Sequence, residues 1–348
     1  MIAGIAGIGW VTPLGRNLSS TWTALSKKTP VVPTFLTSPI DGRAFPVLRV
    51  PEGSVQDAAS LPRLRRSSII SHLAVSAAVD AAASARMTPE ALQRTGLVFA
   101  SSDGGVIYTR KFFAEIVERG EGAGSPLLFP ETVYNAPASH IAARLGLEGE
   151  VLTLVGDAAV GLSAVQTACE LIGAGAVESC IVAAAEELDW ITCEAYSRWG
   201  LIRDSKNSAS VFSEGAAAIV LSKKSDACRI SAIHPGYSYS SEADAEKRLE
   251  TMLEELLHGL EVDIFISCTP GTRLDLVEQK CVAKHLSGAR ILTPKSVLGE
   301  SFACSTLQQV ITGILALKNS GRGNALMVTT GYNRQMAGLV LTRDHGAD

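Results

Sequence analysis

One stretch constrains this chain more than any other: EVLTLVGDAAVGLSAVQTACELIGAGAVESCIVAAAEEL, Glu150 to Leu188. It reads as strand, sharp turn, buried helix, strand. Val151 to Val155 is a short apolar, β-branched run, the pattern of a strand covered on both faces. Gly156 and Asp157 break it. Ala158 to Ile172 is small and apolar almost all round, so this helix is expected to be buried rather than amphipathic. Gly161, Ala164 and Ala168 share one side, where another backbone can approach closely. Gly173 and Gly175 are expected to end the helix, and Ser179 to Ala185 to form a second buried strand. A turn that aims a helix N-terminus out of the end of a parallel strand suits a nucleophile, because the helix dipole stabilises an anion there. Here the first helical position is Ala158, with Asp157 as its expected N-cap. The turn has the form of a nucleophile site without a nucleophile.

The rest of the composition fits a layered α/β core. Of 348 residues, 47% are hydrophobic and 19% charged, as expected where much secondary structure is covered on both faces. The formal net charge is -4 with no basic block, which argues against a nucleic-acid partner. No apolar run is long and pure enough to span a membrane. The N-terminal MIAGIAGIGWVTPLG lacks a basic region before its apolar part and reads as strand plus turn, not a signal peptide. The seven cysteines contain no CxxC pair. They read as reduced, buried thiols of a cytoplasmic protein, and no Cys/His spacing suits zinc. Neither metal nor cofactor is expected.

Along the chain, Ile2 to Ile8 reads as a strand, Gly7, Gly9, Pro13 and Gly15 as a turn, and Ser19 or Ser20 as the cap of a helix through Leu25. Thr29 to Pro62 is Pro-rich and irregular, with one or two short strands. Arg63, Arg65 and Arg66 form either a solvated face or a docking point for an acidic partner or phosphate. Ser67 to Met87 is a long Ala-rich helix, and Thr88-Pro89-Glu90 starts another. Gly96 to Ser101 is a strand, SSDGG a small-residue turn, and Val106 to Arg119 a helix. Phe129 to Leu147 holds a loop and a short helix. Cys193 to Ile202 is helical, Arg203 to Ser210 a polar loop and Ala216 to Leu221 a strand.

The second half repeats the alternation. Arg229 to Ile233, Val262 to Ser267 and Arg290 to Thr293 read as strands. Glu242 to Leu260, Asp275 to Leu286 and the buried Phe302 to Asn319 read as helices. Leu326 to Thr330 and Leu339 to Thr342 close as an antiparallel pair. No strict sequence repeat is present, yet both halves follow a similar order. The expectation is a duplicated α/β fold, with halves at 1–222 and 223–348 forming one compact unit.

Five segments, in order, carry a resemblance. GIAGIGWVTPLG resembles the opening strand-turn of β-ketoacyl-ACP synthases, the condensing enzymes of the thiolase superfamily. SPLLFPETVYNAPASHIAARLGLEGE resembles the segment before that family's nucleophile, and FSEGAAAIVL its GEGA strand. CTPGTRLD lies where the family has HGTGT, and TPKSVLGES where it has KSxxGH. The resemblance implies a thiolase-like, five-layered α-β-α-β-α architecture.

It also implies a damaged site. Carried over position by position, the nucleophilic Cys falls on Ala158, since Gly161 matches the glycine three residues later. The two His fall on Cys268 and Glu300, and only the Lys is kept, as Lys295. The family's glycine-rich GFGG loop falls on Gly331, Tyr332, Asn333 and Arg334. Two loops that shape the pocket in active members are largely missing. An Ala methyl forms no thioester, and an ionised Glu300 would repel a developing enolate, whose stabilisation is normally a large term. Lys295 and Glu300, five apart, suit a buried structural ion pair better than a new acid/base couple. Ser163 should bond back to its own helix, and His140 reads as a packed surface residue.

Chains of this kind resemble chain-length factors. These are non-catalytic ketosynthase-like subunits that form a heterodimer with an active ketosynthase through the strand before the nucleophile turn, here Val151 to Val155. They serve fatty-acid-like, polyketide or polyene biosynthesis on acyl carrier protein substrates. Val106, Ile107, Tyr108 and Phe112, after SSDGG, are then candidates to set the depth of the acyl tunnel. Two alternatives stay open: an acyltransferase or condensing enzyme using Cys268 or Glu300, and a homodimeric acyl- or carrier-binding protein.

Overall fold

The computed structural model describes residues 2–201, 211–223, 228–269 and 274–344. In chain order, the first part runs β1 (Ala3–Val11), α1 (Leu18–Lys27), β2 (Thr34–Thr37), β3 (Ala44–Leu48), α2 (Gln56–Ala59), α3 (Ile69–Ser84), α4 (Pro89–Gln93) and β4 (Thr95–Ser101). There follow α5 (Val106–Arg119), α6 (Ala136–Leu145), β5 (Val151–Val155), α7 (Val160–Ala174), β6 (Ser179–Glu186), α8 (Trp190–Arg198), β7 (Phe212–Ser213) and β8 (Gly215–Ser222). The remainder is β9 (Arg229–Ser238), α9 (Glu242–Leu257), β10 (Ile264–Ile266), α10 (Asp275–His285), β11 (Arg290–Leu292), α11 (Lys295–Leu298), α12 (Phe302–Ser320), β12 (Gly323–Thr330) and β13 (Gln335–Arg343).

The duplication lies in strand order. The first half orders its strands β5-β4-β6-β8-β1, and the second orders β11-β10-β12-β13-β9. Numbered within each half, both orders are third, second, fourth, fifth, first. In both, the third, second and fourth strands are parallel and the fifth runs antiparallel to its two neighbours. The halves meet edge to edge along a short β1–β9 pairing, Ala3 with Ile230 and Gly4 with Arg229, flanked by Ile2 N–Ile230 O and Ile5 N–Cys228 O bonds, which joins them into one ten-stranded sheet.

Three apolar clusters give five layers. The central cluster is formed by α7 and α12 between the two half-sheets. A second lies under α3 and α6 on the outer face of the first half, and a third under α9 and α10 on the outer face of the other. The even spread of small residues on α7 now has its cause. Gly161 faces Thr306 and the Ala303 carbonyl of α12, where an added Cβ would stand 2.7 Å from Thr306 Cβ.

Several sequence expectations need correction. Gly7 and Gly9 are not turn residues but lie inside β1. An added Cβ at either would stand 2.3 Å from an α3 carbonyl, Ala81 O or Ala77 O, so their absence of side chain lets α3 seat on the strand. Asn17, not Ser19 or Ser20, caps α1, its side chain accepting from Ser20 N. α7 runs through Gly173 and ends at Gly175, in the left-handed region at φ 75°. The strand Val151–Val155 is not covered on both faces. Among the described residues it is the edge of the sheet, pairing with β4 alone, and leaves Val151 40% and Val155 51% exposed. The polar loop expected at 203–210 lies outside the described residues, as do residues 270–273. Among the described residues no helix is long and apolar enough to cross a membrane.

Candidate functional site

The candidate site sits at the inner ends of α7 and α12, where the halves meet. Ala158, Cys268, Lys295 and Glu300 are 1%, 2%, 4% and 1% exposed. The fold brings these sequence-distant positions into one buried polar cluster: Lys295 lies within electrostatic reach of Glu300, Cys268 and Asp157.

Ala158 occupies the tip of the turn after β5. Its carbonyl accepts from Thr306 Oγ1 of α12 at 2.6 Å. Asp157 is not the N-cap of α7; that place belongs to Ala159, which has no side-chain cap. Instead Asp157 Oδ1 accepts from Ala158 N at 2.7 Å, and Oδ2 accepts from Asn333 N at 2.8 Å. The turn is thereby tied to the loop after β12. Gly331 is required there, because a Cβ would stand 2.3 Å from Asp157 Oδ2. Burial raises the Asp157 carboxyl above its ordinary range, partly offset by these two amides.

Lys295 begins α11 and Glu300 follows it, their charges 2.5 Å apart. Burial depresses the ammonium more than any single neighbour raises it, but the charge and hydrogen bond of Glu300, with the smaller pulls of Cys268 and Asp157, together leave Lys295 raised. The second Glu300 oxygen accepts from Phe302 N at 2.8 Å. The Glu300 backbone is pinned to β7: Ser213 N donates to its carbonyl at 2.8 Å, and its own N–H donates to Val211 O at 2.9 Å. Both charges of this pair are buried and both have partners.

Cys268 follows β10. Its thiol donates to Glu278 Oε2 at 2.7 Å and lies 3.2 Å from Thr330 Oγ1. Burial, then the Glu278 charge, push the thiol well above its ordinary value. It is therefore neither a thiolate nor an exposed nucleophile. His140, expected at the surface, is partly buried with Nε2 2.7 Å from Glu131 Oε1. Ser163 bonds back to Ala159 O at 3.4 Å. Val106, Ile107, Tyr108 and Phe112 lie half-buried on α5, with Phe112 against Phe113 and Phe129.

Two groups escaped the sequence reading. The first is an aromatic cluster of Tyr196, Phe212, Phe302 and Tyr332, with centroids 5.0 to 6.4 Å apart. It draws on four separate segments, so no local pattern marks it. The second is the Glu186–Glu187 pair at the end of β6. Glu186 accepts from Ser102 N at 2.5 Å and Asp103 N at 3.2 Å, holding the SSDGG turn. Glu187 accepts from Ile70 N at 3.1 Å and Ile107 N at 2.8 Å, so one carboxyl joins the N-terminal ends of α3 and α5. Two carboxylates closing an otherwise apolar strand were the available signal, since buried charges require partners.

The model of the β-ketoacyl synthase N-terminal domain matches residues 3–227. The chain belongs to the β-ketoacyl synthase family. The 3-oxoacyl-[acyl-carrier-protein] synthase 2 of Vibrio harveyi is 22% identical over 188 residues, a match covering 53% of this chain. That match spans 45% of the curated relative's length, about half. Among solved structures, a β-ketoacyl synthase from Burkholderia phymatum STM815 aligns at TM-score 0.84 and 17% identity, over 99% of both chains. The ishigamide ketosynthase/chain length factor aligns at 0.83 and 18%, again over 99% of both. A type II polyketide synthase ketosynthase, in complex with its acyl-carrier protein and bound to the hexaketide, aligns at 0.82 and 16%, over 98% of this chain and 99% of that one. The fold is that of the thiolase-like ketosynthases.

Proposed function

We propose that this chain is a non-catalytic, chain-length-factor-type subunit that pairs with an active β-ketoacyl-ACP synthase in fatty-acid-like, polyketide or polyene biosynthesis. The observation that carries the reading is concerted. Ala158 stands at the tip of the nucleophile turn, Glu300 is bound by Lys295, and the Cys268 thiol is held protonated against Glu278. Chemistry that needs a thiolate and two neutral imidazoles has no equivalent in such a set, and losing groups that act together costs on the order of 10⁴ to 10⁶ in rate. The same observation weighs against an enzyme acting through Cys268 or Glu300.

In this reading the partner subunit supplies the catalysis and this chain supplies surface. The open edge of β5 continues into the partner's sheet, and Val106, Ile107, Tyr108 and Phe112 face the shared acyl tunnel. Arg63, Arg65 and Arg66, all exposed before α3, form a docking point for an acidic carrier protein. The test is reconstitution. A co-expressed ketosynthase should elongate a carrier-bound chain only, or at least tenfold faster, with this subunit present. Condensation by this chain alone, or no effect on any ketosynthase encoded beside it, would count against the proposal.

A further inference from the structure

Phe302 is out of place by ordinary backbone rules. It opens α12 at φ 46°, in the left-handed region, while its side chain is completely buried. A bulky residue there is a genuine outlier and persists only where its surroundings over-determine it. What holds it is Glu300: the Phe302 N–H donates to Glu300 Oε1, and Glu300 Oε2 is held by Lys295. The following amide is held as well, Ala303 N donating to Ser102 Oγ at 3.3 Å.

The ring this backbone delivers stands 5.0 Å from both Tyr196 and Phe212, and 6.2 Å from Tyr332. Tyr332 belongs at once to this cluster and to the wall of a surface cleft of about 460 Å³, which Trp199, Tyr239 and Arg334 also line. Tyr332 thus links the cleft to the aromatic cluster, and Phe302 packs beside Tyr332 with its backbone N–H on Glu300. We propose that Phe302 is a stopper, set by Glu300 as a positioning residue, that seals the buried polar cluster from ligands entering the cleft. This inference rests on geometry and stands whether or not the chain has a ketosynthase partner.

Removing the ring should leave an apolar cavity, and such cavities stay dry and accept apolar guests. Octanoate is the probe: an aliphatic chain for the cavity, with an anionic head for Arg334. By isothermal titration, Phe302→Ala should bind octanoate at least tenfold more tightly than the wild type. Equal binding by the two, or none by the variant, overturns the stopper. The role of Glu300 is separated from simple stability by a second pair. Lys295→Met/Glu300→Gln keeps an acceptor for Phe302 N without the ion pair, and should stay closed. Lys295→Met/Glu300→Ala loses that acceptor and should open to octanoate. Identical behaviour of these two double variants overturns the positioning role, and this pair also decides the matter should Phe302→Ala not fold.

Discussion

Lys295 and Glu300 meet at 2.5 Å with both side chains 2% exposed. A pair so placed owes its worth to mutual satisfaction, because neither charge has water to turn to. Glu300→Ala alone should therefore destabilise the fold by about 3–5 kcal/mol, by leaving a buried ammonium unpaired. Lys295→Met/Glu300→Leu, which removes both charges, should recover most of that loss in urea unfolding. A double variant as unstable as the single would show that the pair is not coupled in this way.

Glu187 predicts a pH dependence. Burial raises its pKa from 4.5 to about 7, opposed by its bonds to Ser68, Ile107 and Ile70. Between those two values the folded chain holds a proton that the unfolded chain has released. Stability should consequently fall as pH rises through that window, by about 3 kcal/mol if the whole shift is expressed. Asp103, raised to about 6 by burial, adds in the same direction. Urea midpoints measured from about pH 5 to about pH 7.5 should decline in the wild type and flatten in Glu187→Gln. An unchanged slope in the variant would assign the dependence to other groups.

The thiols should be silent in the native state. All seven cysteines are buried and unpaired as disulfides, and burial pushes Cys169 and Cys193 to about 12. Iodoacetamide followed by intact-mass measurement should label none of them before unfolding and all of them in urea. Incubation with malonyl- or acyl-carrier protein should leave no adduct. An acyl adduct lost in Cys268→Ala would instead point to an enzyme working through that thiol.

How much of this was legible depends on distance along the chain. The helix Val106–Arg119 could be read to the residue from local pattern, and the five-residue spacing of Lys295 and Glu300 was enough to foresee their pairing. β1 could not be read through Gly7 and Gly9, because their reason is the α3 backbone, more than sixty residues away in sequence. Asp157 looked like a helix cap for the same reason: its second partner, Asn333, lies in the other half. The aromatic cluster around Phe302 joins four segments that no periodicity connects. Most of what closes the candidate site is of this long-range kind.

The arginine trio offers a surface prediction. Arg63→Glu/Arg65→Glu/Arg66→Glu should weaken carrier-protein binding tenfold or more at low salt, with the thermal midpoint little changed. Rising salt should weaken wild-type binding, since exposed charges are screened over about 10 Å at 0.1 M. Unchanged affinity in the variant would leave these residues as a solvated face.

Pairing with a ketosynthase, if it occurs through β5, depends on the open edge of that strand. Gly156 N donates to Ser101 O, so by alternation along the strand the Thr153 N–H points to the unpaired edge. Thr153→Pro removes that donor, and proline is tolerated on edge strands. The measurement is size-exclusion chromatography with light scattering on this chain co-expressed with an active ketosynthase of the same organism. The wild type should elute as a one-to-one heterodimer and Thr153→Pro as two separate species, with this chain still folded. A stable homodimer that ignores the ketosynthase, or a heterodimer that survives Thr153→Pro unchanged, would contradict pairing through this edge.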